Sequence, residues 1–177
     1  MLDKHTLSSV PIGANQYGHM QFETTRSEVG EALYQLKYRQ DWTRVPQLAG
    51  LLATAVYPHF QDVGLLIPMP ASNIRTRQPV TELTKALGTI LGVPVFENLV
   101  TKKSTGKQLK DLATKAEKLE VAGKSFSVHD LIEGDGPWNA LLVDDLYDTG
   151  ASLEGACTAL RGYRKIKRLY VAALTWK

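Results

Sequence analysis

Apolar residues recur along this chain in two rhythms, a spacing of three and four and short unbroken runs. Val29, Leu33 and Leu36 form one stripe, and Val45, Leu48, Leu51, Leu52, Ala55 and Val56 form the next, so two amphipathic helices are predicted. Residues 63–69 are an apolar run closed by Pro68 and Pro70, which predicts a strand ending in a tight loop. A third helix carries Val80, Leu83, Leu87, Ile90 and Leu91 on one face and stops at Gly92-Val93-Pro94. Residues 95–100 are strand-like, and residues 101–125 are polar, Lys-rich and helical only in their second half. Ala140-Leu141-Leu142-Val143 reads as a buried strand because its apolar run is unbroken. A helix opening after Gly150 buries Leu153, Ala156, Cys157 and Leu160, and residues 169–174 are the last strand. Strands alternating with helices predict an α/β fold, a mostly parallel sheet covered on both faces. Ligands of such sheets sit at the carboxyl ends of the strands, where Asp144 and Pro70 both fall.

The first thirty residues break this alternation. Pro11-Ile12-Gly13-Ala14-Asn15 and Tyr17-Gly18-His19 are turn-rich, and Met20-Gln21-Phe22-Glu23 suits a hairpin. The chain therefore reads as one domain over residues 1–177, with residues 1–30 as a small hairpin segment. Composition agrees: 177 residues, 44% hydrophobic and 22% charged, describe a soluble domain with a real core. A single cysteine, Cys157, rules out an intramolecular disulfide and a Cys-based zinc ribbon. Met1-Leu2-Asp3-Lys4-His5 leads into no signal-like apolar run, and no stretch approaches the ~20 apolar residues of a membrane helix, so the cytoplasm is expected. The net charge of +3 gathers in residues 102–124 and 161–168, compatible with a phosphorylated ligand, with nucleic acid or with solvated faces.

The chemistry concentrates in residues 140–152. Asp144 and Asp145 stand where the buried strand ends, and Leu146-Tyr147-Asp148-Thr149-Gly150-Ala151-Ser152 then opens a helix. A helix N-terminus offers free amides and a positive dipole end to a phosphate. Gly150 lets the backbone close around it, Thr149 and Ser152 add hydroxyl donors, and the carboxylates suit a vicinal diol. Phosphate at one end and diol at the other describe a ribose 5-phosphate. A P-loop nucleotidase would need Gly-x4-Gly-Lys-Ser/Thr between strand and helix. Gly123-Lys124-Ser125 supplies the tail, but Lys118 occupies the first glycine position and Phe126-Ser127-Val128 looks extended.

These thirteen residues, 140–152, resemble the signature with which type I phosphoribosyltransferases bind PRPP, 5-phosphoribosyl 1-diphosphate. The resemblance implies an enzyme that transfers ribose 5-phosphate to a nucleobase or amine and releases pyrophosphate. Asp144 and Asp145 would hold the ribose hydroxyls and reach Mg²⁺ indirectly, through PRPP or water. Asp148, Thr149, Gly150, Ala151 and Ser152 would wrap the 5′-phosphate. A second loop, holding Met69, Pro70, Ala71, Ser72, Arg75 and Arg77, is the natural pyrophosphate site, since arginine forks bind phosphate bidentately. Type I enzymes close a mobile loop over PRPP, and Lys102, Lys103 and Lys107 fall in that interval, where a plain surface loop fits as well. Leu36-Lys37-Tyr38, the Pro-x-Pro…Arg-x-Arg loop and Gln108-Leu109 resemble the ComF/GntX-like branch, without its zinc ribbon. Arg77-Gln78-Pro79-Val80-Thr81 replaces the usual Arg-Gly-Phe-Asn-Gln of that branch.

Asp148 is the candidate general base, with a plain helix cap as the alternative role. The acceptor lies under a variable hood in this family, and here Tyr17, His19 and Phe22 are available to stack on a flat base. Three functions remain open: a transferase, a PRPP or nucleotide sensor without turnover, and a ComF-like protein of DNA uptake or processing. Partners expected are PRPP with Mg²⁺ and a small acceptor, a second copy in a homodimer and, more weakly, nucleic acid; no membrane is expected.

Overall fold

The computed structural model describes residues 1–73, 75–102 and 125–177. The predicted helical half of residues 101–125 lies outside the described residues. The strands are β1 (Asp3–Lys4), β2 (Thr6–Ala14), β3 (Met20–Arg26), β4 (Val63–Pro68), β5 (Val100–Lys102), β6 (Phe126–Val128), β7 (Trp138–Tyr147) and β8 (Ile166–Trp176). The helices are α1 (Glu28–Arg39), α2 (Arg44–Leu51), α3 (Pro79–Leu91) and α4 (Ala151–Arg161), with α2 running on through a π turn, Leu52–Val56.

Local chemistry explains the helix ends. The Ser27 hydroxyl accepts from the Gly30 amide at 3.0 Å, Glu28 and Glu31 face the positive end of the α1 dipole, and Lys37 and Arg39 face the negative end. Pro79 fills the first position of α3, where its missing N–H costs nothing, and Gly92 ends that helix in the left-handed region. The buried face of α3 holds Leu83, Thr84, Leu87 and Gly88, so Ile90, expected inside, sits at its margin and is exposed.

The expected α/β architecture is observed: a four-stranded sheet in the order β1-β8-β7-β4, every pairing parallel, flanked by helices. Alternation along β7 sends Leu141 and Val143 to one core with α1, α2 and α3, and Ala140 and Leu142 to a second core with α4. Two expectations change. Residues 95–100 are not one strand: Val95 alone bridges to Leu66, then Glu97 and Asn98 turn the chain before β5 pairs antiparallel with β6. β7 does not stop at Val143 but continues to Tyr147, because β8 is long enough to pair alongside it as far as Trp176. The N-terminal hairpin forms as β2–β3. No helix among the described residues is long and apolar enough to cross a membrane.

Candidate functional site

The extension of β7 decides the geometry of the acidic pair. Asp144 and Asp145 lie inside the strand, so its alternation turns them to opposite faces. Asp145 follows Leu141 and Val143 toward α1, where Lys37 Nζ meets its Oδ2 at 2.8 Å. Both side chains are largely buried, at 24% and 11% exposure, so water screens this ion pair little. The Thr175 hydroxyl donates to the Asp145 carbonyl at 3.1 Å and lies 3.3 Å from His5 Nδ1. Burial, with Arg26 and Lys37 nearby, holds the His5 imidazole below its ordinary pKa. Asp144 follows Ala140 and Leu142 to the other face, and its Oδ1 accepts from the Asp145 amide at 2.8 Å. Burial first, and the neighbouring Asp145 carboxylate second, push its carboxyl up to about 7. Burial also lowers the Lys102 ammonium, which the Asp144 charge partly counters, and Lys102 Nζ donates to Ser72 Oγ at 2.8 Å.

Beyond Tyr147 the chain turns into α4. Gly150 takes the N-cap position at φ 79°, a conformation that favours glycine, and no side chain caps the helix. The first helical bond runs from the Glu154 amide to the Gly150 carbonyl at 2.9 Å, which leaves the amides of residues 151–153 without an intrahelical acceptor. Thr149 Oγ1 reaches only the Ala151 amide, at a weak 3.5 Å. Asp148 is exposed and does not occupy the cap position; Lys177 Nζ lies 3.9 Å from its Oδ2.

One cleft of about 630 Å³ gathers these groups at the carboxyl ends of β4 and β7. Residues 144–152 line one wall, and Met69, Pro70, Ala71, Ser72 and Arg75 line the facing wall. The Met69 amide donates to the Val143 carbonyl at 2.8 Å and ties the two walls together. Arg75 Nη1 donates to the Lys37 carbonyl at 3.0 Å, so Lys37 bridges the two loops, by side chain to Asp145 and by main chain to Arg75. Arg77 does not line this cleft: its guanidinium binds Glu82 at 2.7 Å and lies over the Trp42 ring at 4.2 Å. Lys102 is at the rim, while Lys103 and Lys107 lie outside the described residues. Tyr17, His19 and Phe22 are exposed on the β2–β3 hairpin and line neither described cleft. Sequence reasoning gave no site role to Lys37 or Tyr38, which line the main cleft. The usable signal was Lys37 at the edge of the Leu33–Leu36 stripe, a cation on a helix face turned toward the sheet.

No family model matches the sequence, and no curated protein matches it either. Among solved structures, the phosphoribosyltransferases include adenine phosphoribosyltransferase from Saccharomyces cerevisiae, 15% identical with a TM-score of 0.48 over 96% of this chain and 83% of that one. UMP synthase of Leishmania donovani is 12% identical, with a TM-score of 0.46 over 94% of this chain and 33% of that one. A hypothetical protein from Neisseria gonorrhoeae with bound ppGpp is 14% identical, with a TM-score of 0.46 over 75% of this chain and 66% of that one. The chain thus spans a third of the synthase and about two thirds of the Neisseria protein.

Proposed function

We propose that this chain is a PRPP-dependent phosphoribosyltransferase of type I, transferring ribose 5-phosphate to a nucleobase or amine with release of pyrophosphate. One observation carries the reading: free amides, hydroxyls and the acidic pair of a single strand–turn–helix line one cleft together with an arginine-bearing loop. The 5′-phosphate sits on residues 148–152, the ribose diol at Asp144 and Asp145, and the pyrophosphate toward Ser72 and Arg75. Breaking the C1–pyrophosphate bond develops positive charge on the ribose and negative charge on the leaving group. Arg75 and Lys102 stabilise the latter, and the cleft positions the former. Among the described residues no cluster of three His, Cys, Asp or Glu could hold an ion alone. Asp144 and Asp145 would hold Mg²⁺ only indirectly, through PRPP or water, and the ion would supply charge neutralisation for the leaving pyrophosphate.

Asp148 is the base for an acceptor that must lose a proton, and Lys102 belongs to the lid. Within the class we favour the ComF/GntX-like branch, because Leu36-Lys37-Tyr38 and the Arg-x-Arg loop meet at the Lys37–Arg75 bond. Thermal melting tests the binding half. Mg·PRPP and a nucleoside 5′-monophosphate should both raise Tm, since each binds only the folded chain. Thr149→Ala with Ser152→Ala should shrink both responses; unchanged responses would put the phosphate elsewhere. PRPP turnover with a panel of bases and amines tests the catalytic half, and tight binding without turnover would leave a PRPP sensor.

A further inference from the structure

Beside the main cleft, and joined to it at Lys37, Tyr38, Arg75 and Pro79, a second cleft of about 570 Å³ opens between the carboxyl end of α1 and the loop into α3. That volume lies within the roughly 300–1,000 Å³ of small-molecule sites. Its walls combine the rings of Tyr38 and Trp42, the guanidinium groups of Arg75 and Arg77, and the amide of Gln40, and no carboxylate lines it among the described residues.

The two arginines differ. Arg77 Nε and Nη2 both bind Glu82 Oε2, at 2.8 and 2.7 Å, while the guanidinium carbon lies 4.2 Å from the centre of the Trp42 ring. Its charge is matched and its position is fixed, which leaves a rigid aromatic–guanidinium surface suited to stacking. Arg75 spends Nη1 on the Lys37 carbonyl and has no carboxylate partner among the described residues. Lys37 is already matched by Asp145. Among the described residues the cleft therefore presents one unmatched positive charge, that of Arg75, beside aromatic surface that includes Tyr38, which is 62% exposed.

We propose that this cleft is a second binding site, for a planar aromatic anion of nucleotide size, such as a nucleoside 5′-monophosphate. The ring stacks on the surface formed by Tyr38, Trp42 and Arg77, and the phosphate takes the free donors of Arg75. This is not the acceptor position of the proposed transfer. An acceptor must approach the ribose carbon from the side opposite the departing pyrophosphate, whereas this cleft opens behind Arg75, at the pyrophosphate end. Because Arg75 faces both clefts, a nucleotide in one and a pyrophosphate in the other compete for one guanidinium. By linkage each weakens the other by the same factor. That competition rests on the phosphoribosyl reading; the binding itself does not.

The test is the emission of Trp42, assigned by difference against Trp42→Phe because Trp138 and Trp176 also emit. The full chain, as wild type and with Thr149→Ala and Ser152→Ala, is titrated with AMP, ribose 5-phosphate and adenosine. AMP should change Trp42 emission in both backgrounds. Ribose 5-phosphate lacks the ring and adenosine the phosphate, so each should bind about tenfold more weakly or worse. Arg75→Ala and Arg77→Ala should each weaken AMP by a similar factor, with circular dichroism showing that the variants fold. Mg·PRPP should raise the apparent Kd for AMP. Trp42 emission unmoved by millimolar AMP, or moved only while Thr149 and Ser152 are intact, overturns the site. Equal response to ribose 5-phosphate and AMP overturns its aromatic half. AMP binding that survives while Mg·PRPP binds nowhere would sink the phosphoribosyl reading and leave this site standing.

Discussion

Two adjacent aspartates, identical in the sequence, have different chemistry because a strand alternates. Asp145 meets Lys37 and Asp144 does not, and Asp144 is buried beside a charged neighbour, which raises it to about 7. A raised carboxylate pKa means that the folded chain holds the proton more tightly than the unfolded chain. The resulting stability is complete below the ordinary carboxylate range and is lost as pH rises through about 7. Between pH 5 and pH 8, wild type should lose roughly 1–3 kcal/mol more than Asp144→Asn in urea denaturation. His5 titrates in the same window with the opposite sign, but it is present in both proteins and cancels in the difference. Parallel curves for the two would mean that Asp144 titrates as an ordinary carboxylate. Lys37→Met, which strands the Asp145 charge, should cost about 3 kcal/mol, and adding Asp145→Asn should restore part of it. If the second change instead deepens the loss, the pair is not what Lys37 contributes. The loop residues were legible because their chemistry is local: a glycine where φ is positive, hydroxyls and amides at a helix start. Lys37 was not, since its role comes only from the packing of α1 across β7.

At the scale of elements, caps and periodicity located the four α-helices of the described residues, passed over the short 3-10 turn Tyr57–His59, and misjudged strand ends. A strand's length is set by how far its neighbour can pair, so β7 and β8 carry each other past the apolar run into Asp144, Asp145 and Thr175. The turn at Glu97 and Asn98 shows the converse, where continuous β-like sequence gives way to local turn chemistry. Close approach is invisible in a single sequence. At Gly30 a Cβ would run into the backbone carbonyl of His5, so α1 seats directly on the chain following β1. Gly30→Ala, a helix-favouring change in isolation, should therefore destabilise by roughly 1–3 kcal/mol. It should also weaken Mg·PRPP, because α1 carries Lys37. Stabilisation by Gly30→Ala in thermal melting would mean that the N-terminal segment yields at little cost.

Across the whole molecule, the main cleft is assembled from α1, the loop after β4, the end of β5 and the strand–turn–helix of β7 and α4. The sequence placed two of these four together by chemistry, and the sheet order supplied the rest. Asp148 tests whether the assembly turns over a substrate or only holds one. Its alternative role, capping α4, has lost its footing, since Gly150 occupies the cap position and no side chain bonds there. Asp148 stands exposed beside the turn into α4, with Lys177 as a distant ionic neighbour. Asp148→Asn keeps the shape and removes the basicity, so the Tm shift with Mg·PRPP should remain close to wild type. Turnover with whichever base or amine proves to be the acceptor should fall by roughly 10²–10⁴-fold, the usual contribution of general acid–base catalysis. The loss should appear in kcat rather than KM, because a proton acceptor acts in the transition state and not in holding PRPP. A variant that turns over normally would leave the phosphate turn in place and withdraw the base. A variant that loses PRPP binding along with turnover would mean that the Asp148 carboxylate serves the binding loop and not the proton transfer.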